Sequence, residues 1–148
     1  MSLEIPIIDY IDTDLNAISS QTTIVEAGRK MIELGVDSIL VLRDNLISGI
    51  VTQADIMKAI SKEARVSDTV ESIMSKPLIT IGNVANVGQA IKMMKENKIR
   101  RLVVKKDSDI IGIITQKKIF GVILAKHLRF LSWKCLNILN VRIVHHCF

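Results

Sequence analysis

Apolar residues along the chain follow two different rhythms, and their alternation predicts the elements. Ile24, Ala27, Met31, Ile32 and Leu34 keep roughly helical spacing. Thr23 stands ahead of them with Glu26 three residues on, a capping-box pattern, and Gly35 sits where a left-handed residue ends a helix. Ser38 to Leu42 and Leu46 to Val51 are apolar, β-branched runs around the polar turn Arg43-Asp44-Asn45, which predicts a hairpin. Thr52 closes the second of these strands and a further helix begins at Gln53 and runs to Ile60. With a short strand over Leu15 to Ile18, the order is strand–helix–strand–strand–helix.

The same pattern occurs twice. At an offset of 63 residues, positions 22–57 match 85–120 without gaps at eleven places, among them Ala27/Ala90, Met31/Met94, Val41/Val104, Gly49/Gly112, Thr52/Thr115 and Gln53/Gln116. In the second copy the elements are a strand at Ile79 to Ile81, a helix over Val87 to Asn97, strands over Arg101 to Val104 and Ile110 to Ile114, and a helix from Gln116 onward. One unit of this size cannot bury a core alone, whereas two can cover each other's sheets. The expected architecture is therefore α+β, two such repeats packed with pseudo-twofold symmetry. Residues 5–66 form the first repeat with an N-terminal linker, 67–124 the second with its connector, and 125–148 a tail. Val70, Ile73 and Met74 before Pro77 predict a short helix in the connector.

Composition divides the chain at another point. The 148 residues carry a net charge of +5, yet residues 1–109 have fourteen basic and fifteen acidic side chains, while 110–148 have six basic and none acidic. The near-neutral repeats offer no basic–aromatic surface for nucleic acid. All three histidines, both cysteines and Trp133 follow residue 126, so no catalytic triad or metal-ligand spacing falls within the repeats, and no enzyme activity or required cofactor is expected. His145-His146-Cys147 at the end is read as a terminus rather than a chelate. No apolar run reaches the roughly 20 residues that span a bilayer, no signal segment opens the chain, and two cysteines make no disulfide framework, so a cytoplasmic protein is expected. Met31, Met57, Met93 and Met94 fall at helix positions suited to filling gaps in a core.

The segment Gly49-Ile50-Val51-Thr52-Gln53-Ala54-Asp55 concentrates the candidate chemistry. A strand ends at a hydroxyl residue that opens a helix, whose first amides and dipole favour an anion such as phosphate. Asp55 lies on the same helical face as Thr52, where a carboxylate accepts hydrogen bonds from the two hydroxyls of a ribose. The alternative reading is an ordinary helix start, with both residues capping amides.

The doubled unit resembles a tandem pair of cystathionine-β-synthase-type (CBS) domains, a Bateman module, over residues 5–124. The resemblance is carried by Ile73-Met74-Ser75-Lys76-Pro77-Leu78-Ile79-Thr80-Ile81, by Lys98-Ile99-Arg100-Arg101-Leu102-Val103-Val104, and by the two endings Gly49 to Asp55 and Gly112 to Lys118. It implies a regulatory module that binds adenosine ligands in two clefts between the repeats. In such a site the Thr of G-h-h-T-x-x-D meets phosphate and the Asp holds ribose, roles that fall to Thr52 and Asp55, with Gln53 and Ala54 between them. In the second copy Thr115 matches but Lys118 replaces the Asp, and a lysine accepts no hydrogen bond from a diol. The resemblance thus implies one competent site at Asp55 and a second that is empty, weak or used for phosphate. It also implies that the adenine pocket facing Asp55 draws on the second copy, with Ala85, Ala90, Ile99 and Arg100 as its walls and Ile50 across the cleft. Arg100 and Arg101 head a strand and point to opposite faces, so one of them is expected to reach phosphate; the alternative reading is two solvated edge charges. Asp37-Ser38 in the first copy supplies no cation at that place.

The expected function is sensing of an adenine nucleotide, AMP, ADP or ATP, relayed to a homodimer or to an effector chain. The alternative is an interaction scaffold with vestigial sites. In the tail, Leu124, Leu128, Leu131, Cys135 and Ile138 keep a four–three spacing that suits a dimer stripe. Phe130, Trp133 and Leu136 broaden that surface enough for membrane-surface contact, and an appended sequence unrelated to the repeats is a third reading.

Overall fold

The structure, a computed structural model, describes residues 3–135, with side chains described through Leu128. Two three-stranded sheets of identical topology face each other. In the first, β1 (Ala17–Ser19) lies parallel to β2 (Ser38–Arg43), which pairs antiparallel with β3 (Leu46–Thr52). Helix α1 (Ile24–Leu34) crosses from β1 to β2, and α2 (Gln53–Ser61) follows β3. The second repeats this with β4 (Thr80–Gly82), α3 (Val87–Asn97), β5 (Arg101–Lys106), β6 (Asp109–Thr115) and α4 (Gln116–Cys135). The α+β order is the one read from the sequence, with small shifts: β1 begins two residues later than Leu15, and the connector holds a single 3-10 turn, Val70–Ser72, before the cis bond Lys76–Pro77.

Local signals explain the element ends. Thr23 and Glu26 form the reciprocal cap of α1, and two hydrogen bonds from Thr23, one from its backbone amide and one from its hydroxyl, hold the Glu26 carboxyl below its ordinary pKa. Gly35 (φ 65°) ends that helix in the left-handed conformation, and Lys98 (φ 54°) does the same for α3. The β2–β3 turn is two residues, Asp44 and Asn45, both at positive φ, as a tight hairpin requires.

Successive strand residues serve different cores, which is why the strands read as continuously apolar. Ile39 and Val41 face the helices of the first repeat and Leu102 and Val104 those of the second, while Leu40, Ile50 and Val103 between them are buried where the sheets meet. Each repeat core is completed by a linker from elsewhere in the chain. Val70 and Met74 of the connector pack into the first repeat, and Ile5 and Ile7 of the N-terminal segment pack into the second. The linkers also extend the sheet edges: Ser75 bridges Ile50, and Asp12 bridges Ile113. Both contacts obey the 63-residue offset, so the duplication includes the linker at Asp12.

Candidate functional site

The approach of linker to strand explains the motif glycines. A Cβ on Gly112 would stand 2.8 Å from the Asp12 carbonyl oxygen and 2.8 Å from Ile11, and one on Gly49 would stand 2.7 Å from the Met74 sulfur and 3.0 Å from the Ser75 carbonyl. Only glycine lets the linker lie this close beside the strand that delivers Thr52 or Thr115 to its helix.

At the start of α2, Thr52 and Asp55 cap the helix reciprocally. The Thr52 amide and hydroxyl donate to Asp55 Oδ2 at 2.9 and 2.8 Å, and the Asp55 amide donates to Thr52 Oγ1 at 3.1 Å. Both side chains are half-buried, and among the described residues Oδ1 of Asp55 has no partner. The Gln53 amide donates to the Asp37 carbonyl at 3.0 Å, leaving exposed Ala54 with the unengaged amide of the first turn. The helix start therefore offers fewer open donors than its sequence suggested, because Asp37 and Thr52 take two of them. At α4 the Gln116 amide donates to the Arg100 carbonyl (2.7 Å) and the Lys118 amide to Thr115 Oγ1 (3.1 Å); exposed Lys118 supplies no returning carboxylate.

Between the repeats lies an open cavity of about 920 Å³. Gln53, Arg100, Arg101 and Thr115 line it, joined by Lys117 and by Asp12, Asp14 and Asp37. Arg101 is largely buried, with 15% of its side chain exposed, and reaches across to Asp37, Nη1 to Oδ1 at 3.1 Å and Nη2 to Oδ2 at 3.4 Å. Both arginines thus face the cavity, and one of them is ion-paired. Lys118 lines a second opening of about 780 Å³ with Thr115, Lys117, Lys126 and Tyr10.

Other expected positions lie elsewhere. Ala90 is fully buried and Ala85 nearly so in the core of the second repeat, and Ile99 packs against that core; none of the three lines the inter-repeat cavity. Their apolar character answers to α3 packing on β5. Ile50 is buried between the sheets beside Ser75, and Thr52, Ala54 and Asp55 are not among the residues that line the cavity. Met31 and Met94 fill core positions as expected, but Met57 is exposed. Of the tail stripe, Leu124 and Leu128 are exposed on α4. The remaining tail residues singled out above lie outside the described side chains or, from residue 136 on, outside the described chain. Among the described residues no helix is long and apolar enough to cross a membrane.

Asp12 and Asp14, the acidic side of the cavity, precede the repeated block that opens at residue 22. Leu15/Leu78 and Ile18/Ile81 continue it at the same offset and carry it into the linkers.

A family model described as "CBS domain" matches residues 7–62 and 70–125. An uncharacterized protein of Methanopyrus kandleri is 35% identical over 109 residues, covering 70% of this chain and 55% of that protein. An inosine-5'-monophosphate dehydrogenase of Korarchaeum cryptofilum is 33% identical over 112 residues, covering 75% of this chain but 23% of the enzyme. The chain thus spans about half of one relative and a quarter of the other. Among solved structures, an uncharacterized conserved protein from Pyrococcus horikoshii superposes with a TM-score of 0.76 at 25% identity, over 99% of this chain and all of that one. The CBS domain pair of protein MJ0100, in complex with 5'-methylthioadenosine and S-adenosyl-L-methionine, shares the fold at 0.73 and 24% identity, over 81% of this chain and 96% of that one. A CBS domain protein from Pyrobaculum aerophilum complexed with AMP does so at 0.70 and 19%, over 77% and 89%. Two family matches in tandem, on two sheets related by one offset, make this chain a member of the CBS domain family, built as a CBS pair.

Proposed function

We propose that this CBS pair is a regulatory module that binds an adenine nucleotide, AMP, ADP or ATP, between its repeats and relays occupancy to its own homodimer or to an effector chain. The observation that carries the reading is the inter-repeat cavity. Its volume of about 920 Å³ lies within the range of small-ligand sites, and three cations, Arg100, Arg101 and Lys117, face it beside the starts of two helices. The ribose hydroxyls donate to Asp55, two residues beyond Gln53 of the cavity lining, whose Oδ1 is open and whose Oδ2 is already held by the cap, so the ligand extends from the cavity over the start of α2. Phosphate then meets the Ala54 amide and, past Gln53, the cations of the cavity. The Thr115 end lacks a carboxylate at 118 and is empty, weak or used for phosphate. Regulation follows when the nucleotide binds two arrangements of the repeats unequally.

Calorimetric titration with AMP, ADP, ATP and S-adenosylmethionine tests the reading. A nucleotide at a hundred times its Kd adds about 2.7 kcal/mol of stability, visible as a raised melting temperature. Asp55→Ala should abolish most binding and Lys118→Ala should matter less. Equal losses would sink the inequivalence of the two ends, and no stabilisation by any adenosine ligand would favour a scaffold whose Thr52–Asp55 pair is a helix cap alone.

A further inference from the structure

We propose that Asp37 is a built-in competitor for phosphate: it pairs with Arg101 across the cavity and must release it before a phosphate group can be held. The proposal rests on the nucleotide reading above and adds a specificity-determining residue to it. Arg101 heads β5 of the second repeat, and Asp37 precedes β2 of the first, so the pair ties the repeats together across the cavity. The guanidinium presents both terminal nitrogens to the Asp37 carboxylate, and Nη1 also donates to the Asp37 carbonyl at 3.3 Å. That fork is the arrangement by which arginine grips phosphate, so carboxylate and phosphate contend for the same donors.

The pair is poised to exchange. Asp37 is 64% exposed, which keeps the interaction weak through solvent screening, whereas Arg101 is largely buried and stays at the cavity wherever its partner goes. Release also has a route outward. The Asp37 carbonyl accepts the first amide of α2, and in the other repeat the Arg100 carbonyl, at the position equivalent to Asp37, accepts the first amide of α4. Freeing Asp37 loosens a residue that grips a helix start and removes a tie between repeats. A neutral adenosine has no group that needs Arg101 and leaves the tie in place; nucleotides with phosphate break it. Asp37 therefore separates phosphorylated from unphosphorylated adenosine ligands and couples only the former to inter-repeat motion.

The test compares AMP and adenosine by calorimetry on the wild-type chain, Asp37→Asn, Arg101→Met and the double variant. Asp37→Asn should tighten AMP by about two- to fivefold, the equivalent of one screened ion pair, and leave adenosine unchanged. The gain should vanish in the Arg101→Met background; Arg101→Gln, which also removes the charge but keeps a polar head, serves the same cycle if Arg101→Met does not fold. If the wild type binds AMP and Asp37→Asn brings no gain, an equal gain for adenosine, or a gain that persists without Arg101, the proposal is overturned and the nucleotide reading stands. If the wild type binds neither ligand at millimolar concentration, both are overturned.

Discussion

Replacing Gly112 by alanine tests the account of how the linkers build the site. The new Cβ would stand 2.8 Å from the Asp12 carbonyl oxygen, a backbone atom fixed by two bridge hydrogen bonds, Asp12 N–H to Ile113 at 2.8 Å and Ile113 N–H to Asp12 at 2.9 Å. Relieving the contact means overpacking, about 1–3 kcal/mol, or stretching one of those bonds, about 0.5–1.5 kcal/mol. Alanine restricts the unfolded chain and returns about 0.4–1 kcal/mol. The net expectation is a loss of about 0.5–2.5 kcal/mol, the overpacking cost less what alanine returns. Gly49→Ala should cost less, because its nearest neighbour is the thioether of Met74, which can swing aside. Gly28→Ala should do the opposite: its Cβ meets only the end of Ile56 at 3.9 Å inside α1, and alanine is the better helix former by about 1 kcal/mol. Urea unfolding followed by circular dichroism gives all three from the shift in midpoint at constant m. A Gly112→Ala protein as stable as the wild type, or Gly49→Ala more damaging than Gly112→Ala, would refute the close-approach argument.

Two further expectations concern the helix caps. Lys118→Asp should complete the half-made box at Thr115 and raise stability by about 0.5–1 kcal/mol in the same unfolding assay; on the nucleotide reading it should also move the binding stoichiometry from one toward two, and an unchanged midpoint would show that the missing carboxylate is not what α4 lacks. Folding lowers the Glu26 pKa, so its contribution is complete above the carboxyl's ordinary value of 4.5 and is lost as pH falls through the lowered folded value. The stability difference between the wild type and Glu26→Gln should therefore shrink on acidification below that value, and a difference independent of pH would refute the assignment.

The secondary structure was legible because its signals are local. The Thr23–Glu26 cap, Gly35, and the apolar runs around Asp44-Asn45 each act within a few residues, and each holds in the structure. The repeat was legible because duplicated cores keep their residues: Ala27 and Ala90, Met31 and Met94, and Val41 and Val104 are all buried. Less legible was which linker serves which repeat. Ile7 and Val70 look alike, and nothing in either short segment reveals that one packs on the far repeat and the other on the near one. The expected adenine walls are ambiguous for the same reason. Ala85 and Ala90 read as small and apolar, which fits a flat pocket and a helix packed tightly on a strand equally well; only the burial of Ala90 against the second sheet separates the two.

The positions where the repeats disagree carry the functional argument. At the 63-residue offset the backbone is symmetric down to the bridges, the bulges after Val41 and Val104, and the carbonyls that receive the first helix amides. The charges are not: Asp37 corresponds to Arg100, Ser38 to Arg101 and Asp55 to Lys118. A symmetric cavity carrying arginine at 37 as well as at 100 would set a third guanidinium against Arg101 across the axis, and like charges at that separation repel. The exchange to Asp37 turns that repulsion into a cross-repeat pair at 3.1 Å. The cost is that the cavity's most buried cation is neutralised until a stronger anion arrives. Symmetry in the core with inversion of charge at the cleft gives the two ends different chemistry toward an anion, and on the nucleotide reading a ligand that meets those ends unequally in two arrangements of the repeats shifts the balance between them.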